Sequence, residues 1–255
     1  MIAELKGVMA MTIRAVLLTL ILTSYAVIAS PQDPTKLAPD AYKRQFENEW
    51  VQITRVHYGP YVKVPLHDHT RWPAAYVYLN DSGPIKFTHE GWTEPVLTRP
   101  PTKAGSFRLS PTTAVGETHQ VENPNGTPSD FLRVEFKTEA VDRMMMRGRY
   151  ERKAPPAGRS SRKIEFENGQ IRVTRLVGAP HQVLDLKTTS TQPALFVVLN
   201  TARVNSTVGA VGKPTTLEPG NTIWLDRGRR ERLENLSNTP IELLMFDLKT
   251  SPANP

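Results

Sequence analysis

Short runs of alternating apolar and polar residues fill most of the chain from residue 43 onward. Gly, Pro, Asn and Asp residues separate one run from the next. Successive side chains of a β-strand point to opposite faces of a sheet, so this pattern predicts short strands joined by turns. The longest segment with a helix-like period lies near Thr138–Tyr150. The pattern therefore predicts an all-β fold, either a sandwich or a barrel.

The same pattern occurs twice in the chain. The segment from Phe46 to Asn80 returns 120 positions later, between Phe166 and Asn200, and twelve of its 35 positions are identical in the two copies. A later block returns with a displacement of 112 positions. Agreement over two blocks in the same order indicates a tandem duplication.

The duplication divides the chain into segments. We expect the two copies to be domains of the same fold, at residues 43–139 and 164–250. The segment between them, 140–163, is basic, with eight basic residues and one acidic residue from Arg143 to Lys163. We expect a solvated linker there, and an arm that binds polyanions is the alternative. The remaining segments are a signal peptide at 1–29, a proline-rich linker at 30–42 and a tail at 251–255.

The start of the chain has the features of an export signal. Lys6 and Arg14 precede an uncharged run from Ala15 to Ala29 that is rich in Leu, Ile, Val and Thr. This order predicts a secretory signal peptide that is cleaved after Ala29. A transmembrane anchor is the alternative, but an uncharged run of this length is short for a bilayer. We therefore expect an exported protein, periplasmic or extracellular, with no stable membrane anchor after cleavage.

Composition limits the partners of the chain. Its 255 residues include 32 basic and 25 acidic residues, for a net charge of +7. A basic surface favours anionic partners, yet charge alone is not a binding site. In the basic linker only Tyr150 could stack on a base, so we expect no nucleic acid as a partner. The chain has no cysteine, so no disulfide stabilises it.

Histidines supply the candidate chemistry. His67 and His69 flank Asp68, and on a regular strand both imidazoles would point to the same face. That spacing suits two ligands of one metal ion. Farther along, Gly116, His119 and Asn123 form the pattern G-x-x-H-x-x-x-N.

The two histidine stretches, in this order and with a turn-rich interval between them, resemble the two signature motifs of the cupin superfamily. In that family the histidines of both motifs come from neighbouring strands of a small antiparallel barrel and meet on one metal ion. The resemblance implies that His67, His69 and His119 are the metal ligands. It also implies that the fold is all-β, with two tandem cupin-type antiparallel β-barrels, or jelly rolls, as in a bicupin.

The first motif lacks one residue of the family pattern. The family normally has a glutamate three or four residues after the second histidine, where this chain has Pro73 and Ala74. Three imidazoles without a carboxylate suit a divalent transition metal (Fe, Ni, Mn, Cu or Zn) better than Mg or Ca. Such a site would be more electrophilic than the usual one, so it would favour an anionic or chelating small molecule.

The second copy serves as an internal control. At the positions displaced from the three histidines it has Lys187, Thr189 and Glu231. It therefore keeps the residues of the scaffold and lacks every candidate ligand, so we expect one metal ion per chain. The second copy would then be structural, either as a packing partner of the first or as part of a face that forms a homo-oligomer.

Other candidate residues have structural explanations. Tyr76 and Tyr78 share a face with Ala74 on a regular strand, where each could hydrogen-bond a substrate or line the barrel. His57 is expected to be a partly buried packing residue. His89, in the sequence Thr-His-Glu-Gly, is expected to lie in a turn.

Three classes of function follow. The first is a metal-dependent oxidoreductase of the dioxygenase type that acts on a small organic acid or phenol, because three-histidine cupins occur among oxygenases. The second is a non-catalytic extracytoplasmic binding module for a metal, sugar or small acid. The third is a structural cupin without activity.

Overall fold

The computed structural model describes residues 33–70, 72–111, 117–141, 146–155, 158–206 and 214–253. The expected signal peptide lies outside these ranges, and so do Gly116 of the second motif and parts of the basic linker. Among the described residues, no helix combines the length and the apolar character that crossing a membrane requires.

The described chain is almost entirely β-structure, as the alternating pattern predicts. One short helix, α1, spans Pro34–Leu37 within the expected proline-rich linker. The strands of the first copy are β1 (Tyr42–Glu47), β2 (Val51–Tyr58), β3 (Lys63–His69), β4 (Ala74–Tyr78), β5 (Ile85–His89), β6 (Val96–Arg99), β7 (Phe107–Ser110), β8 (Glu117–Glu122), β9 (Ser129–Phe136) and β10 (Gly148–Tyr150). Those of the second copy are β11 (Ser161–Glu167), β12 (Ile171–Gly178), β13 (Val183–Lys187), β14 (Ala194–Val198), β15 (Ala202–Ser206), β16 (Thr215–Leu217), β17 (Thr222–Leu225), β18 (Arg230–Asn235) and β19 (Ile241–Leu248).

Each copy consists of a large and a small antiparallel sheet. The expected solvated linker at 140–163 is partly wrong, because β10 lies within it and pairs with β7 of the first large sheet. In the first copy the large sheet has the order β1-β2-β9-β4-β7-β10 and the small sheet the order β3-β8-β5-β6. In the second copy the orders are β11-β12-β19-β14-β17 and β13-β18-β15-β16. The strand bounds follow the displacements of the duplication, since β2 and β12 begin 120 positions apart and β9 and β19 begin 112 positions apart.

A hydrophobic core joins the two copies. One face of each large sheet contributes to it, with Ile53, Val77 and Phe136 from the first copy and Val197 and Phe246 from the second. We call this cluster the shared core. The rings of Phe136 and Phe246 meet in it with their centroids 5.8 Å apart. Because strand side chains alternate, the other face of each large sheet is free to line the interior of its own copy.

The two interiors differ in chemistry. The interior of the second copy is largely apolar, with Phe196, Leu233 and Met245 among its buried residues and Glu231 as a buried carboxylate. The interior of the first copy contains tyrosines such as Tyr58 and Tyr76 in its apolar cluster, and histidines and arginines lie beside them. The candidate site is in this polar interior.

Candidate metal centre

A β-bulge in β3 sets the direction of two histidines. Val64 pairs with Val121 of β8, but His67 pairs with His119, so β3 has one residue more than its partner between these pairs. Val64 and His67 are both buried, at 3% and 0% exposure, although they are an odd number of positions apart. A regular strand that kept Val64 inside would turn Leu66 inward in place of the histidines. The bulge therefore directs His67 and His69 into the barrel.

The structure brings the three predicted histidines together. The rings of His67 and His69 have centroids 4.8 Å apart, and the ring of His119 lies 4.8 Å from His67 and 4.9 Å from His69. Each ring offers a nitrogen, and these nitrogens all lie within 4.8 Å of one another. The Nε2 atoms of His67 and His69 are 3.2 Å apart. Three donor atoms thus converge on one point.

Hydrogen bonds fix the orientation of His67. Its Nδ1–H donates to the carbonyl oxygen of Pro65 at 2.7 Å, so Nε2 carries the lone pair. The hydroxyl of Tyr42 lies 3.0 Å from that Nε2 and 2.6 Å from the hydroxyl of Tyr58. Tyr42 was missed in the sequence because it ends the expected linker, outside both motifs.

The three imidazoles are neutral at neutral pH. Burial lowers the pKa of His67 to about 4. Burial also lowers the pKa of His69 and that of His119. A neutral imidazole keeps the lone pair that a metal ion needs, so burial prepares these side chains to act as ligands.

The two ring nitrogens of His119 have different surroundings, so one can bind a metal ion while the other contacts a supporting residue. The Nε2 of His119 has no hydrogen-bond partner among the described residues, although the ring is buried. Its Nδ1 lies 3.2 Å from Oε1 of Glu117. A buried nitrogen of this kind normally requires a partner, and a metal ion on Nε2 would supply one. The observed residues therefore fit a transition metal.

Glu117 and His89 extend the cluster in a way that the sequence analysis missed. The Nε2 of His89 lies 2.9 Å from Oε1 of Glu117. Burial alone would raise the pKa of Glu117, but hydrogen bonds with His119 and His89 hold it well below its usual value. His89, Glu117 and His119 form a second group of close donor atoms. The spacing Glu-Thr-His, which places Glu117 and His119 on one face of a strand, was the available signal.

Two expectations for single histidines are wrong. His89 does not lie in a turn, because it is the last residue of β5, pairs with His119 and stacks on Trp92 with ring centroids 3.8 Å apart. His57 is not a packing residue, since it is exposed and its Nδ1 lies 3.1 Å from a carboxylate oxygen of Asp130. The alternation along β2 turns His57 outward at the end of the strand, where no other layer covers it.

The two candidate tyrosines have different surroundings. Tyr76 and Tyr78 lie with Ala74 in the interior cluster, as the alternation predicts. Tyr76 lines the cavity beside the histidines, whereas Tyr78 lines a separate cleft near Phe107 and Tyr150. Of the two, Tyr76 is therefore placed to contact a ligand in this cavity.

The cavity beside the histidines is small and polar. Its volume of about 20 Å³ is room for roughly one water molecule. His69, His119 and Glu117 line it together with tyrosine, phenylalanine and valine side chains. Three arginines also line it: Arg99, Arg108 and Arg133.

The strand pairing changes which residues of the second copy correspond to His67 and His69. In the second copy Glu231 pairs with Leu186, and β13 has no bulge. The counterpart of His67 is therefore Leu186 and not Lys187, and the counterpart of His69 is Thr188 and not Thr189. The expected outcome is unchanged, because these two residues and Glu231 do not form a histidine site.

Comparison with known proteins supports the architecture. No family model matches the sequence, and no curated protein matches it. Solved structures do match. A putative glyoxylate-induced protein from Pseudomonas aeruginosa has a TM-score of 0.56 and 14% identity, over 84% of this chain and 82% of that chain. Salicylate 1,2-dioxygenase from Pseudaminobacter salicylatoxidans has a TM-score of 0.52 and 12% identity, over 84% and 79%.

A cupin 2 conserved barrel domain protein from Leptotrichia buccalis has a TM-score of 0.50 and 13% identity, over 82% of this chain and 88% of that chain. The chain has the bicupin fold. At these identities the likeness concerns the fold alone. The bicupin therefore has a polar first barrel with a three-histidine group and an apolar second barrel.

Proposed function

We propose that this bicupin binds one divalent transition metal ion through His67, His69 and His119, and that it is an exported oxidoreductase of the dioxygenase type. Its substrate is a small molecule, an organic acid or a phenol. The observation that carries the proposal is the convergence of three neutral imidazoles on one point of the first barrel, with His67 and His119 buried and His69 half-buried.

The three imidazole nitrogens indicate which class of metal ion the site binds. Three imidazole nitrogens suit Fe, Ni, Mn, Cu or Zn better than Mg or Ca, which prefer oxygen ligands. Three protein ligands also leave coordination positions for water or substrate. An ion with this neutral set keeps its full positive charge, which supports an anionic substrate.

The residues around the site have separate tasks. A bound transition metal would supply Lewis-acid and redox chemistry at this point. Tyr42 keeps its proton, because burial raises the pKa of its phenol well above the usual value. The Tyr42 hydroxyl lies 3.0 Å from Nε2 of His67, and with that nitrogen ligating a metal it would be free to donate to a substrate oxygen instead. Tyr76 and Phe87 line the cavity with aromatic rings.

The reaction class rests on two further observations. One protein with this fold is a salicylate dioxygenase, and the three histidines would hold a metal with open positions next to a protonated tyrosine. These features support oxygen chemistry over the alternative of a non-catalytic binding module.

Metal titration tests the proposal. Protein freed of metal with a chelator is titrated with Fe, Mn, Ni, Cu and Zn, and ion content is measured by mass spectrometry. We expect about one ion per chain, and loss of that ion in His67→Leu, which copies Leu186 of the second barrel. The matched control is His57→Leu, which removes an exposed histidine. Two ions per wild-type chain, or none, would contradict the proposal.

Activity and export are tested separately. Metal-loaded protein is assayed for oxygen consumption with a panel of small organic acids and phenols, and metal-bound protein that consumes no oxygen with any of them would favour the binding module. Export rests on the sequence of residues 1–29. N-terminal sequencing of the mature protein should find a chain that begins after Ala29, and an intact start before Ala15 would overturn it.

A further inference from the structure

Three arginines lie inside the first barrel, where the fold does not require charge. Arg99 and Arg133 are 4% and 5% exposed, and Arg108 lines the same cavity. They come from β6, β7 and β9, so they reach the cavity from three separate strands. His69 and His119 line the same cavity, so the arginines share it with two of the proposed metal ligands.

The three guanidinium groups carry more positive charge than the two nearby carboxylates neutralise, Glu117 on the same cavity and Glu135. Arginine stays protonated in proteins, and removing an ion from water costs several kcal/mol unless a partner offsets that cost. Arg133 has such a partner in Glu135 at 3.1 Å. Among the described residues, Arg99 and Arg108 have no ion pair, and the Nε of each arginine has no hydrogen-bond partner.

Aromatic and hydroxyl contacts hold the two unpaired guanidinium groups in place. Arg108 lies over the ring of Tyr76 at 4.2 Å, and Arg99 lies over the ring of Tyr78 at 5.1 Å. The Nη2 of Arg99 donates to the hydroxyl of Ser129 at 2.8 Å. These contacts orient the groups but supply no negative charge, so the cluster is prepared for an anion.

The second barrel shows that the arginines are not part of the scaffold. Tyr76 pairs with Arg108 in the first barrel, and the equivalent Phe196 pairs with Ile223 in the second. Arg133 corresponds by the displacement of 112 to Met245, which is buried. Strand pairing makes Thr215 the counterpart of Arg99. The same fold thus forms with uncharged residues at all three positions.

We infer that Arg99, Arg108 and Arg133 form a binding site for the carboxylate group of a small organic acid. The planar fork of a guanidinium group matches a carboxylate and can donate two parallel hydrogen bonds to it. Binding of a carboxylate by the arginines does not depend on the proposed function; only the reaction that follows binding does. A site built from guanidinium groups favours an acid over a phenol as the substrate. The cavity has room for roughly one water molecule, so a bound acid must displace that water, and the smallest acids are favoured over aromatic ones.

Calorimetric titration of wild-type protein tests the ligand class. Acetate, its neutral analogue acetamide, benzoate and phenol are titrated into metal-free protein and into metal-loaded protein, with ion content measured in each sample. We expect acetate to bind in both forms, and acetamide, benzoate and phenol to bind at least about tenfold more weakly. No binding of acetate in either form, or equal binding of acetate and acetamide, overturns the inference.

Variants that copy the second barrel test the residues. Arg108→Ile and Arg99→Thr should each weaken acetate binding by about tenfold or more. The control Arg203→Ile removes an exposed charge on β15 and should bind acetate as wild type does. Thermal unfolding shows whether each variant folds. Because Arg108→Ile removes a half-buried cation that has no ion pair among the described residues, we expect this variant to melt no lower than wild type.

The two proposals fail in different ways. If folded Arg108→Ile and Arg99→Thr bind acetate as tightly as wild type does, the arginine site does not exist, whatever the histidines bind. If wild type binds no metal ion but binds acetate through the arginines, the proposed metal function fails and the carboxylate site remains.

Discussion

At the scale of single residues, Glu117 supports a ligand without joining the three-histidine group. Its carboxylate lies 3.2 Å from Nδ1 of His119, on the opposite side of the ring from Nε2. A carboxylate that accepts the Nδ1–H of a ligating histidine fixes the tautomer and makes Nε2 more basic. His89 donates to the same carboxylate and holds it in place. A glutamate therefore acts on this site from β8, although Ala74 stands where the cupin motif has its own.

Replacing Glu117 by Gln should weaken metal binding by about 10- to 100-fold, because an amide holds the proton on His119 Nδ1 less firmly. Competition with a chromophoric chelator measures the affinity. The control is Glu122→Gln on the same strand, whose carboxylate lies 3.3 Å from Lys63 and away from the histidines.

A different result would assign the ion to another group of residues. If His67→Leu retains metal while Glu117→Gln and His89→Ala lose it, the ion binds in the group formed by His89, Glu117 and His119. Unchanged affinity in Glu117→Gln would show that the carboxylate does not support His119.

The low pKa of His67 predicts how stability depends on pH in metal-free protein. Burial lowers this pKa to about 4, against about 6.5 in the unfolded chain, so the unfolded state binds more protons between these values. The free energy of unfolding should therefore fall as the pH drops from about 6.5 to about 4, with about 3 kcal/mol from His67 alone. Urea unfolding at several pH values measures it. His67→Leu should show a smaller decrease, and an equal decrease would refute the assignment.

At the scale of elements, the bulge in β3 decides which residues face the site. The sequence placed His67 and His69 on one face of a strand but did not say which face. Alternation from Val64, which is buried, would have turned both histidines outward if the strand were regular. Only the pairing with β8 reveals the extra residue. β13 has no extra residue, and there the regular alternation turns Leu184 and Leu186 inward.

Two single-residue deletions in β3 should have opposite effects. Deleting Leu66 removes the bulge and leaves a regular strand with Val64, His67 and His69 on the inner face, so we expect metal binding within a few-fold of wild type. Deleting Asp68 makes the two histidines consecutive, so one of them must turn outward, and metal binding should be lost. Equilibrium dialysis with the metal ion measures both. Equal effects of the two deletions would show that the direction of the histidines does not depend on strand alternation.

At the scale of the whole molecule, the shared core makes the barrels depend on each other. It contains buried residues from both large sheets, with Phe136 and Phe246 in contact across the boundary. Separating the barrels would expose this apolar surface to water, which is unfavourable in proportion to its area. The apolar second barrel thus stabilises the first without contributing a predicted ligand.

Phe246→Ala, a substitution in the second barrel, should destabilise the first barrel as well. The side chain is fully buried, so the free energy of unfolding should fall by about 3 to 5 kcal/mol. Metal release from the first barrel and circular dichroism of the whole chain should shift to lower temperature together. Tyr61→Ala, which removes an exposed ring, is the control. Metal release at the wild-type temperature would contradict the coupling.

The sequence alone determined the all-β class, the duplication and the three histidines, because alternation, repetition and ligand spacing are properties of neighbouring positions along the chain. Tertiary structure decided the rest. Glu117, His89 and the arginines come from different strands, and only sheet packing shows that they surround one cavity. The bulge depends on pairing with a partner strand, and the shared core on contact between two sheets. These features arise from contacts between distant segments, which local patterns do not encode.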